Sequence, residues 1–112
     1  MKLSNIQKWE TLKHLRENAV GIEDGNKTVL ILSVNSWGKT ERCAFCGRNH
    51  YHGAYNGNRV SHCRNDLFNF PIDKNLVFQN RIGQLFFYSD GYALKRESDR
   101  GSFLDLYPVG VK

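Results

Sequence analysis

The chain has 112 residues, a formal charge of +5 and a pI near 9.3, which allows one domain, 1–112, and little room for a second. With 40% hydrophobic and 12% aromatic residues, a packed core is feasible and wholesale disorder is excluded. The odd count of three cysteines argues against a pure disulfide framework, and no apolar run approaches the roughly 18 residues of a membrane span.

The opening residues, Met1-Lys2-Leu3-Ser4-Asn5, hold no apolar signal region. The expectation is a soluble, cytoplasmic protein whose thiols stay reduced and free to bind metal. Residues 4–19 read as a helix. Ser4 with Gln7 three positions on is a capping-box pattern. Ile6, Trp9, Leu12, Leu15 and Ala19 recur at threes and fours as one apolar face. Lys8, Lys13, Arg16 and Glu17 fall opposite, and Gly21 is placed to end the helix.

Glu23-Asp24-Gly25-Asn26 signals a turn. Thr28 to Val34 is short, β-branched and nearly continuous in apolar residues, the pattern of a buried central strand. An excursion from Trp37 to Arg64 follows, with a Gly/Asn-rich tip over 53–58 and a return limb from Arg59 to Cys63. Leu76–Gln79 is a short strand candidate. Gln84–Tyr88 and Tyr92–Arg96 flank Ser89-Asp90-Gly91 as a hairpin pattern. Ser102–Tyr107 reads as a last strand, stopped by Pro108. The predicted class is α+β: an N-terminal helix on a small antiparallel sheet of four or five strands, with a metal-stapled loop.

That excursion carries the chemistry. All three cysteines and three of the four histidines lie between positions 43 and 63. Soft thiolates and imidazoles gathered this closely are the ligands of tetrahedral zinc. Cys43 and Cys46 stand at C-x₂-C spacing, so a short turn points both sulfurs inward, and Gly47 suits that turn. Cys63 closes the loop as a third ligand. His50, His52 and His62 compete for the fourth place. His62 adjoins Cys63, and neighbours on an extended segment point to opposite faces. His50 follows Cys46 at C-x₃-H spacing and is preferred, with His52 the alternative. Four protein ligands predict a closed, structural Zn²⁺ site.

The same segment is the most basic part of the chain. Lys39, Arg42, Arg48, Arg59 and Arg64 face a single acid, Glu41. A Cys₃His zinc centre carries about −1, so the segment keeps a net charge of about +3. Arg48, Arg59 and Arg64 are the candidate nucleic-acid or anion contacts. Trp37, Phe45, Tyr51 and Tyr55 interleave with them, either to stack on bases or to pack beneath the metal loop. Phe86, Phe87, Tyr88 and Tyr92 are assigned to the sheet core.

The string Cys43-Ala44-Phe45-Cys46-Gly47-Arg48-Asn49-His50-Tyr51-His52-Gly53, then Arg59-Val60-Ser61-His62-Cys63, resembles a zinc-finger-like segment of small, mostly uncharacterised bacterial and phage proteins. Its pattern is C-x₂-C-x₃-H-x-H-G followed by R-V-x-H-C. The match covers about a fifth of the chain, and Ala44 stands where a proline is common. The resemblance implies metal binding and brings no established activity.

Catalytic patterns are scarce. An HNH-type nuclease would use His50 or His52 as base, Asn56 or Asn58 as orienter and His62 as ligand. It needs a ββα unit, and residues 64–75 contain Pro71 without helical periodicity. A zinc deaminase needs H-x-E or C-x-E ahead of its C-x₂-C, and no glutamate lies between Arg42 and Arg96. Phosphate-binding and nucleophile-elbow motifs are lacking. The expectation is a non-enzymatic binding protein that contacts nucleic acid through the basic zinc loop. The alternative is a protein-interaction module, such as a phage-type inhibitor of a host nucleic-acid-processing or defence complex. No membrane partner is expected.

Overall fold

A computed structural model describes residues 3–52, 57–59 and 61–96. Helix α1 spans Asn5–Glu17. The capping box forms as read: the Ser4 hydroxyl accepts from the Gln7 amide at 3.1 Å, and the Gln7 side chain accepts from the Ser4 amide at 2.8 Å. Together they satisfy two of the amides a helix start leaves open. The helix ends earlier than the Gly21 signal. Asn18 caps it, donating from backbone and side chain to the His14 carbonyl.

Gly21 instead lies inside strand β1, Val20–Asp24. A Cβ there would collide with the Phe86 ring. Gly25 and Asn26 turn the chain into strand β2, Lys27–Val34. β1 and β2 pair antiparallel from Val20↔Ile31 to Asp24↔Lys27. Both faces of β2 are buried from Val29 to Val34, as a near-continuous apolar run requires.

The remaining strands are short: β3 at Gly57–Arg59, β4 at Val77–Gln79, β5 at Leu85–Phe87 and β6 at Tyr92–Arg96. The main sheet has the order β1-β2-β6-β3, and β4-β5 form a separate two-stranded unit. The sheet is mostly antiparallel, with one parallel pair. β6 runs parallel to β2 in the register Leu30↔Tyr92 to Val34↔Arg96, and antiparallel to β3.

This corrects the expected hairpin between 84–88 and 92–96. A 3₁₀ turn at Tyr88–Asp90 separates the two strands, and Gly91 at φ +70° redirects the chain into another sheet. β5 pairs with β4 instead. A parallel pair needs a long crossover, and here everything from Asn35 to Gly91 is that crossover. The metal loop is thus built into the central connection. Ser102–Tyr107 lies outside the described residues, as does most of the 53–58 tip.

The core sits where β2 and β6 meet this crossover. Leu30, Leu32 and Val34 share a buried cluster with Tyr92, Leu94, Phe45, Phe78, Phe86, Tyr88 and all three cysteines. Phe87, assigned to that core from sequence, points outward. Two expectations for α1 also change. Ile6 and Trp9 are 74% and 63% exposed, so Leu12 is its buried anchor. Arg16, expected in solvent, turns inward.

Candidate metal centre

The ligand segment is a short ribbon. Thr40 and His50 are bonded twice: the Thr40 amide donates to the His50 carbonyl at 2.8 Å, and the His50 amide donates to the Thr40 side-chain hydroxyl at 2.8 Å. The His52 amide donates to the Gly38 carbonyl at 2.7 Å. Between these limbs Cys43 to Arg48 form a knuckle. The Gly47 amide bonds the Cys43 carbonyl, and the Cys43 amide bonds the Arg48 carbonyl. Gly47 takes φ +83°, and a Cβ there would meet Leu67 at 2.6 Å. Glycine is therefore demanded twice, by conformation and by space.

The knuckle aims amides at its sulfurs: Phe45 N–H to Cys43 Sγ at 3.3 Å and Arg48 N–H to Cys46 Sγ at 3.4 Å. Cys63 arrives from the far side of β3. Its amide donates to the Tyr88 hydroxyl at 2.9 Å, which donates back to the Cys63 carbonyl at 3.2 Å. The His50 ring stacks on Tyr92 at 5.8 Å between centroids, which aims its Nε2 at the thiols.

Cys43, Cys46, His50 and Cys63 are thereby positioned to bind one metal ion, their ligand atoms all within 4.8 Å of one another. Cys43 Sγ lies 3.9 Å from Cys63 Sγ. His50 Nε2 lies 3.5 Å from Cys46 Sγ and 3.4 Å from Cys63 Sγ. Tetrahedral zinc, with bonds of about 2.3 Å to sulfur and about 2.0–2.1 Å to nitrogen, places its ligand atoms roughly 3.5–3.8 Å apart, so the donor set fits. His52 is not among the four: its Nε2 shares a 2.6 Å hydrogen bond with the Tyr92 hydroxyl. His62 is exposed.

The thiols titrate against each other. Contacts from Cys43 and then Cys63 hold Cys46 far below the usual thiol range. Cys43 is pushed well up by its contacts with Cys46 and Cys63 and by burial. Cys63 is drawn down by Cys43, but Cys46 and burial raise it to about 12. Only one of the three clustered thiols is readily ionised on its own, and a bound cation would be needed to hold all three as thiolates.

One functional residue escaped the sequence reading. Arg16 donates from Nε to the Ala44 carbonyl and from Nη2 to the Phe45 carbonyl, both at 2.9 Å, and covers the Phe78 ring. The expectation that Arg16 falls opposite the apolar face is corrected: it stands four residues after Leu12, beside the stripe, and that spacing was the available signal. Among the anion candidates, Arg48 bonds the Asp66 carbonyl and the Asn69 side chain. Arg59 is half-buried on β3, and Arg64 is exposed. The aromatics separate cleanly. Phe45 is fully buried, edge-on to Phe78 and Tyr88, whereas Trp37 and Tyr51 stand in solvent. Tyr55 lies outside the described residues.

No helix among the described residues is long and apolar enough to cross a membrane. Comparison of the chain with protein-family models, with curated proteins and with solved structures returned no match.

Proposed function

We propose that this is a small zinc-binding protein, non-enzymatic, that contacts nucleic acid through the basic surface of its zinc loop. One observation carries the reading. The four ligands turn inward while Arg48 and Tyr51, on either side of His50, turn outward, so closing the metal site holds a basic segment as a fixed surface. Tyr51 between His50 and His52 is the clearest case. Lys39, Arg48 and Arg64 are exposed on the same excursion, and the chain carries net positive charge. Four protein ligands leave zinc no open coordination position, which supports a structural ion.

The test is binding of short DNA and RNA at about 50 and about 200 mM salt, for the wild type and a variant with Arg48, Arg59 and Arg64 changed to Ala. Salt-sensitive binding that weakens in the variant is expected. No salt-sensitive binding by the wild type overturns the reading.

A second reading, a protein-interaction module, is favoured by a different feature. Trp9 packs on Phe68 at 5.3 Å, Phe68 on Phe70 at 6.5 Å, and Trp9 and Phe70 remain largely exposed. An aromatic patch of this kind is typical of protein interfaces. Alanine at Trp9 and Phe70 separates the readings, since only protein capture depends on them.

A further inference from the structure

We propose that the metal-stapled ribbon takes single-stranded nucleic acid, stacking unpaired bases on Trp37 and Tyr51. This rests on the nucleic-acid reading above and names its ligand class.

Trp37 is 87% exposed and Tyr51 71% exposed. Rings of this size in water forgo the burial that normally places them in a core. Neither ring contacts another aromatic ring among the described residues, in contrast to Trp9, which packs on Phe68.

The backbone holds Trp37 there. Asn35 Oδ1 accepts from the amides of Trp37 and Lys39 at 2.9 and 3.0 Å. The Asn35 carbonyl accepts from the Gly38 amide, and the Asn35 amide donates to the Lys39 carbonyl, both at 3.0 Å. Gly38 adopts φ +85° against the His52 carbonyl, where a Cβ would collide. The tip is thus fastened to the segment that carries the metal ligand His50.

Tyr51 is fixed by alternation. His50 faces the thiols and His52 faces Tyr92, so the residue between them projects from the other side. Its bridge partner across the ribbon is Lys39, which is exposed and basic. Two preset rings and a cation make a platform for bases and phosphate.

The geometry points to unpaired strands because stacking needs a free base face. In a duplex those faces are covered by neighbouring pairs, and readout shifts to groove edges. Stacking tolerates any base, so the preference is for strandedness, with DNA and RNA separated by experiment.

The experiment measures anisotropy of labelled 12-nucleotide single-stranded DNA, the same sequence as RNA, and the DNA duplex. Wild type is compared with Trp37→Ala and Tyr51→Ala, each checked for one zinc per chain. The expected result is a single strand held at least tenfold tighter than duplex, and a loss of about 5- to 100-fold in each variant. A second measurement does not depend on those variants. The chain has two tryptophans, so Trp9→Phe leaves Trp37 as the sole reporter, and its fluorescence is expected to quench on binding. Duplex bound as tightly as single strand, unchanged affinity in both variants, or no quenching overturns the stacking proposal while leaving nucleic-acid binding intact. Absence of binding to all three probes overturns both.

Discussion

The guanidinium of Arg16 donates to the carbonyl oxygen of Phe45 at 2.9 Å, and the same fork holds the Ala44 carbonyl. A helix residue 28 positions away thus fixes the turn between the first two cysteines. Burial pushes the Arg16 pKa down, while Cys43, Asp66 and Cys46 push it back up. It therefore stays cationic beside thiolates that carry more negative charge than one divalent ion offsets. Arg16→Met keeps the side-chain volume but strands two carbonyls. The expected cost is about 1–3 kcal/mol, with zinc affinity falling tenfold or more in a chelator-competition assay. Arg16→Lys restores charge without the planar fork and should recover only part of it. Unchanged affinity in Arg16→Met would show that the arginine only fills space.

Metal removal should unmake more than the loop. Cys43, Cys46 and Phe45 are fully buried and belong to the same cluster as Leu32, Tyr88 and Tyr92. Structural zinc in small domains contributes folding free energy directly, roughly 10–16 kcal/mol of apparent binding at neutral pH. Chelation, or Cys43→Ser, is expected to abolish the one-to-one zinc content and the near-ultraviolet signal of the core aromatics. A variant with no metal and an unchanged melting curve would remove the structural role.

Binding should also release protons. Folded without metal, the chain holds Cys46 as thiolate, while Cys43 and Cys63 stay protonated, the latter up to about pH 12. A metal needs all three sulfurs as thiolates. Zinc binding is therefore expected to expel about two protons per ion near pH 7.5 and to weaken as pH falls, because protons then compete for the two raised thiols. Calorimetry in two buffers of different ionisation enthalpy counts these protons. A count of zero would mean that the two thiols are not ligands.

Tyr88 gives a test within the core. Its hydroxyl both accepts from and donates to the backbone of Cys63, and burial raises its own pKa to about 12. Tyr88→Phe leaves the buried Cys63 amide without a partner, at about 1–3 kcal/mol. For a chain of this length that lowers the melting temperature by roughly 4–20 °C. Zinc stoichiometry should persist at saturating metal, since no ligand is touched.

What was legible in the sequence was local. The Ser4 capping box, the apolar run of β2 and the spacing of Cys43, Cys46 and His50 are all short-range patterns, and periodicity or ligand chemistry reads them directly. What escaped was set by distant partners. The run from Gln84 to Arg96 looked like a hairpin because its turn residues fit one. Only the pairing of Leu30 with Tyr92 sends β6 to a different sheet. Arg16 sat beside an apolar stripe whose outer members, Ile6 and Trp9, remained exposed, and nothing local marked the carbonyls it would meet. Phe45 and Trp37 had equal claims to stacking or packing until the knuckle turned one inward and the Asn35 turn held the other out.

The two histidines of the His50-Tyr51-His52 triplet offer the sharpest separation of roles. His50 Nε2 reaches two thiols at 3.4 and 3.5 Å, whereas His52 Nε2 spends itself on the Tyr92 hydroxyl at 2.6 Å. Tyr92 is fully buried, and its ring supports His50. His50→Ala is therefore expected to open a coordination position and weaken zinc at least tenfold. His52→Ala should retain zinc but leave the Tyr92 hydroxyl without its partner, at about 1–3 kcal/mol. Cobalt substitution reads the difference, since its visible spectrum reports ligand number and type. A spectrum altered by His52→Ala and preserved in His50→Ala would reverse the assignment of the fourth ligand.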